Sequence, residues 1–136
     1  MLKSLGIWIG LFVLVVAALL FSTRYFLQPM NTDLSVVGQG RPALVLAYEN
    51  FSPESGAALN QLNRIRDDYE QHMAFAVADL GAPPGQAFAQ KYNLFNGAAV
   101  FLSAEGIPIR VVVLSSDEQA LRELLDEKLA LVGIER

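Results

Sequence analysis

"PALVLAYENFSPESG", Pro42 to Gly56, joins an apolar run of strand length to a helix start. The run Ala43 to Ala47 carries no polar side chain and is bounded by turn residues, the pattern of a strand buried on both faces. Ser52 has the side chain of an N-cap, whose oxygen accepts from a first-turn amide, and Pro53 follows where a missing N–H costs nothing. Leu59, Leu62, Ile65 and Tyr69 recur at spacings of three and four, while Arg64, Arg66, Asp67 and Asp68 sit largely elsewhere, so the helix has one apolar face.

The rest of the chain extends this unit. "MAFAVADL", Met73 to Leu80, reads as a second buried strand, and "GAPPG" breaks the chain before a short helix through Gln86 to Tyr92. "AAVFLS" and "IPIRVVVLS" flank Ala104, Glu105 and Gly106, a hairpin loop with glycine available for positive φ. The last helix is expected to open on Ser116, with Gln119 completing a capping box, and to turn Leu121, Leu124, Leu125, Leu129 and Val132 to one side. The order strand, helix, strand, helix, strand, strand, helix predicts an α/β domain over residues 41–136, three layers α/β/α with a mixed central sheet. Residues 27–40 lack helical period and are expected to be a linker that lifts the domain off the membrane, with Leu34 to Val37 able to donate a short edge strand.

The composition, 53% hydrophobic and 18% charged, is richer in apolar residues than a soluble domain usually is, and the excess lies at the N-terminus. Ser4 to Thr23 carries no charge, and these twenty residues at about 1.5 Å each span the ~30 Å of bilayer hydrocarbon. Residues 1–26 therefore read as a single transmembrane anchor, with Trp8 near one end and Tyr25 and Phe26 at the other, where aromatic rings settle among headgroups. A cleaved secretory signal is the competing reading, since Lys3 followed by an apolar run fits one. "LLFSTRYF" offers no Ala-X-Ala pair, and the uncharged stretch exceeds the usual ~7 to 15 residues of a signal's apolar region. Lys3 and Arg24 give little orienting bias; the expectation is a single-pass protein of the bacterial inner (cytoplasmic) membrane, its C-terminal domain in the periplasm or outside. Gly6, Gly10 and Ala17 share one helix face on which another membrane helix could approach closely.

The sequence also resembles the thioredoxin fold family over roughly Gly40 to Val132. "GRPALVLAYENFSPESG" looks like that family's strand, aromatic-containing turn, Cys-X-X-Cys and helix. "FAVADL" resembles its next strand, "FAQKYNLF" its Ala-X-X-Tyr helix end, "AAVFLSAEGIPIR" its hairpin and "EQALRELLDEKL" its closing helix. The resemblance places Ser52 and Ser55 where the two cysteines would stand, with Pro53 and Glu54 between them. It places Leu46 at the position of a buried acid and Ala98 at that of the cis-proline beside the redox pair. The chain contains no cysteine. Dithiol exchange is therefore impossible, disulfides and thiolate metal sites are excluded, and what the resemblance implies is a redox-inactive member.

No other chemistry is expected. A serine nucleophile needs a base within about 3 Å, and the single histidine, His72, lies seventeen residues beyond Ser55, about 25 Å away along the helix. "DDYEQH", Asp67 to His72, is a solvated helix end rather than a metal site, and Glu105 and Asp79 are turn residues. No metal, cofactor or small-molecule substrate is expected. From Leu27 onward eight Lys and Arg face fourteen Asp and Glu, a net charge of −6, which disfavours nucleic acid. Phe51 and Phe95 fall on neighbouring loops of such a fold and are candidates for a protein-binding patch. The expected role is a non-catalytic structural or accessory subunit, or assembly factor, of a membrane complex, with the bilayer and the other subunits as partners. The alternative is a peptide-binding or chaperone-like module that uses the former substrate groove.

Overall fold

The computed structural model describes residues 2–26 (side chains for 4–21 only), 30–114 and 117–134. Helix α1 runs Leu2–Phe26. Its side chains from Ser4 to Phe21 are exposed, and it is long and apolar enough to cross a membrane, a property that a signal sequence near the N-terminus shares. The side chains of Tyr25 and Phe26 lie outside the described residues.

The sheet follows the expected order. Strand β1, Ala43–Tyr48, is buried on both faces, as its unbroken apolar run requires. It pairs in parallel with β2, Ala74–Asp79, and antiparallel with β3, Ala98–Leu102; β3 in turn pairs antiparallel with β4, Pro108–Val113. The spatial order is β2-β1-β3-β4, with a register shift at Phe101 and Leu102. One face of the sheet (Leu44, Leu46, Phe75, Val77, Ala99, Phe101) packs on α2, Pro53–Tyr69, and α4, Glu118–Leu131. The other (Ala43, Val45, Ala76, Val100, Leu102) packs on α3, Pro83–Tyr92, through Phe88 and Tyr92. Three layers result.

Tyr69 is fully buried, and its hydroxyl donates to Asp126 Oδ1 at 3.0 Å, tying α2 to α4. Arg122 reinforces the pair by donating to Asp68 at 2.7 Å and Glu118 at 3.0 Å, so the acidic end of α2 is engaged by a guanidinium.

Several local expectations are corrected. Helix α3 incorporates Pro83 and Pro84 rather than starting after them, because at the first positions of a helix proline sacrifices no hydrogen bond. Helix α4 is capped by Asp117, whose carboxylate accepts from Gln119 N at 3.0 Å; Ser116, expected in that role, lies outside the described residues. The hairpin loop is longer than three residues, running from Ser103 to Ile107, with Gly106 at φ 81°. Leu34 to Val36 form a 3-10 turn and not an edge strand. Asp33 diverts the chain by accepting from Ser35 N at 2.9 Å, and Leu34, Val36 and Val37 pack on the second face of the sheet.

Residues 27–29 of the stretch read as a linker lie outside the described residues, and Met30 to Gly40 lies against the domain. Met30 is buried in the main core, and Asn31 O accepts from Val77 N at 2.8 Å along the outer edge of β2. Arg41 donates to the carbonyl of Glu70, an acceptor that the end of α2 leaves open, and to that of Met73 just before β2.

Gly85 fixes how close α3 approaches β2: a Cβ placed there would stand 2.0 Å from the Asp79 carbonyl oxygen. Gly85→Ala must push the helix away from the strand, at a cost of about 2 kcal/mol or more. Urea denaturation should show a matching loss, and wild-type stability would refute the close approach.

Candidate functional site

Helix α2 begins at the C-terminal end of β1, and the loop that enters β3 runs beside it, so Ser52, Ser55 and Asn96 meet. Ser52 caps the helix as its sequence position requires, its Oγ accepting from Ser55 N at 3.4 Å. The same oxygen accepts from Asn96 Nδ2 at 2.6 Å, and its proton goes to Glu54 Oε2 at 2.8 Å. Ser55, expected only to occupy the first turn, is completely buried; its hydroxyl donates to Asn96 Oδ1 and accepts from Glu49 N at 3.0 Å. The Asn96 amide thus bridges the two serines across forty-four and forty-one residues of sequence. Both hydroxyl protons have acceptors, as burial of polar groups demands.

This arrangement is structural in its chemistry. Glu54 is the one carboxylate on a serine here, and its own backbone N–H, with help from the Ser52 hydroxyl, holds its pKa below the usual glutamate value. Such a carboxylate is a poorer base for activating a hydroxyl. His72, expected at the far end of the same helix, lies past it, since α2 stops at Tyr69, and it takes no part. Leu46, where an acid would be expected in a redox centre, is fully buried in apolar surroundings.

Ala98 is buried and opens β3, and Ala98 N donates to Phe95 O at 2.9 Å. Gly97, at φ 83°, turns the chain between them, and Gly97 N donates to Ala47 O at 3.0 Å. No cis peptide bond occurs among the described residues.

The two phenylalanines are both on the surface. Phe51 is fully exposed (104%) and sits at φ 64°, a left-handed conformation that few non-glycine residues adopt. Phe95 is 58% exposed and lines a groove of about 300 Å³ with Glu54, Ala57, Gln61, Asn96 and Val113. Phe51 is not among the residues lining it. In α1, a side chain added at Gly6 or Gly10 would meet nothing within 4 Å, and Ala17 is exposed, so this face of small residues is uncovered.

Asn96 is the residue that sequence reasoning missed. "FNGA" signals a turn, since Asn-Gly favours positive φ, but a turn signal does not say that the amide spans to α2. The burial of Ser55 was equally hidden, because it depends on that partner.

The chain matches no protein-family model and none of the curated proteins. Among solved structures it is similar to Trxlp from Edwardsiella tarda EIB202, at 16% identity and a TM-score of 0.55, over 65% of this chain and 84% of that one. It is also similar to thioredoxin from Fasciola hepatica, at 18% identity and a TM-score of 0.55, over 66% of this chain and 83% of that one. At such identities the likeness speaks for the fold. The domain has a thioredoxin-like α/β fold, and it carries no cysteine.

Two measurements test the site. Asn96→Ala strands the buried Ser55 hydroxyl and should cost about 1 to 3 kcal/mol in urea unfolding; an unchanged midpoint would refute the bridge. Glu54 has a lowered folded pKa, so its contribution to stability is present above the unfolded carboxylate value and is lost as pH falls through the folded one. Glu54→Gln should therefore narrow the stability difference between neutral and acid pH, and a parallel pH profile in wild type and variant would contradict that sign.

Proposed function

We propose that this chain is a membrane-anchored, redox-inactive protein of thioredoxin-like fold that serves as a structural or accessory subunit, or assembly factor, of a larger membrane complex. The observation that carries the reading is the closed network of Ser52, Ser55 and Asn96 at the place of a redox pair, which uses every hydroxyl proton for structure. A domain that keeps its scaffold while its reactive centre becomes a helix cap has packing and surface left as its means of action.

The reading of α1 as an anchor rests on its uncharged length and on the missing Ala-X-Ala pair. The open face of Gly6, Gly10 and Ala17 offers a seat for another membrane helix. We place the domain on the outer side of a bacterial inner membrane, with α1 behaving as an uncleaved signal.

A second reading is favoured by Phe51. A bulky side chain in the left-handed region costs about 1 kcal/mol or more, and here it touches nothing that would repay the strain. Together with the exposed Phe95 and its groove, it suits capture of an apolar peptide segment.

Crosslinking in intact membranes, followed by identification of what is attached, tests the first reading. At least one other membrane protein should be recovered; a chain that returns only itself, or nothing, overturns it. For the second reading, Phe51→Gly combined with Phe95→Ala should abolish client capture while leaving the unfolding midpoint nearly unchanged, and undiminished capture would exclude this surface.

A further inference from the structure

The two edges of the sheet are treated differently. Along β2 the edge is met by Asn31, which accepts from Val77 N, and by the turn at Leu34–Val36. The other edge is β4, the last strand in the order, and no described strand pairs with its outer side. Exposed edges are normally blunted by charge, proline or a bulge, because free N–H and C=O groups recruit other strands. Here Pro108 and the register shift at Ile109 blunt only the start of the strand, Arg110 is the single charge, and the regular stretch beyond it carries Val111 and Val113 on one face at 42% and 66% exposure. By pairing with Val100 and Ala98 these two valines share the face of Val100, but they stand outside the cluster that α3 covers.

We propose that β4 pairs antiparallel with β4 of a second copy of this chain, centred on Val112, giving a continuous sheet of two domains. The triplet Val111-Val112-Val113 reads the same in both directions, so a two-fold axis at Val112 sets Val111 against Val113 of the second copy and Val112 against itself. Charge selects this register. Centring on Arg110 would set two guanidiniums opposite each other, and centring on Val111 would leave them two residues apart, about 7 Å along the strand. Centring on Val112 separates them by four residues, about 14 Å, beyond the ~8 Å screening length of physiological salt. Each shift of this kind must be even, since an odd one would put the valines of one copy beside the opposite face of the other.

Two short strands bury less than the roughly 1,200 Å² at the lower end of stable interfaces, so pairing is weak in free solution. This inference therefore rests on the anchor reading, because confinement of both copies to one bilayer supplies the effective concentration that the edge contact lacks.

The absence of native cysteine makes the test direct. In membranes carrying the full chain, Val112→Cys should form a disulfide-linked dimer under mild oxidation, since directly opposed residues have Cα atoms about 4.5 to 5.5 Å apart, within disulfide reach. Because Val112 is half-buried, co-expressed Val111→Cys and Val113→Cys chains provide a second readout, expected to link to each other. Adding Val111→Lys, at an exposed position, should reduce the Val112→Cys dimer at least about tenfold. Glu70→Cys, at the end of α2, should not link. Pairing is overturned if neither cysteine arrangement links, if Glu70→Cys links equally, if Val111→Lys has no effect, or if the linked species contains a different protein. Membrane fractionation of the same samples reads the anchor independently: a chain found outside the membrane refutes that premise, whereas an unlinked chain within it refutes the pairing.

Discussion

The burial of β1 on both faces is the constraint from which the rest of the domain follows. Ala43 to Ala47 is at or near zero exposure, so every backbone group must find a neighbour in the sheet and every side chain a helix or loop above or below it. Pairing with β2 on one side and β3 on the other satisfies the first demand. The second sends α2 and α4 to one face and α3 to the other. Small residues make the arrangement tight: the alanines of β1, β2 and β3 admit the helices closely, and Gly85 lets α3 reach the backbone of Asp79.

The same geometry decides the character of the site. A helix that starts where β1 ends brings its first turn against the loop entering β3, and whatever occupies that seam must be satisfied there. In this chain the seam is filled by neutral hydrogen-bonding groups of Ser52, Ser55 and Asn96, which lock α2 to the sheet. The carboxylate of Glu54 remains at the rim, stabilised as an anion by its own amide and by Ser52. The seam is polar, and it contains no thiol.

Much of this was legible in sequence because it is periodic or local. The strand at Ala43–Tyr48, the cap at Ser52, the proline after it and the apolar face of α2 follow from spacing and backbone chemistry alone. What escaped depends on contacts between distant segments. Asn96 carries only a turn signal in the chain, and its partners lie more than forty residues away. The docking of Met30 and Asn31 on β2 was obscured by a composition that reads as linker, since one buried methionine and one carbonyl bond leave no periodic trace. At α4 the cap is Asp117, one residue beyond the Ser116 expected from sequence, within the ordinary uncertainty of helix ends.

The Asn96 bridge also makes a dithiol hard to install at this seam. Ser52→Cys and Ser55→Cys together would create the spacing of a dithiol, but a thiol is a weak donor and a weak acceptor. The amide of Asn96 and the N–H of Glu49 would lose strong partners, in a space shaped around a hydroxyl and with Leu46 offering no acid to manage a proton. Each step toward a reactive centre passes through a less stable fold, so the seam acts as a ratchet that holds this chain to its present chemistry.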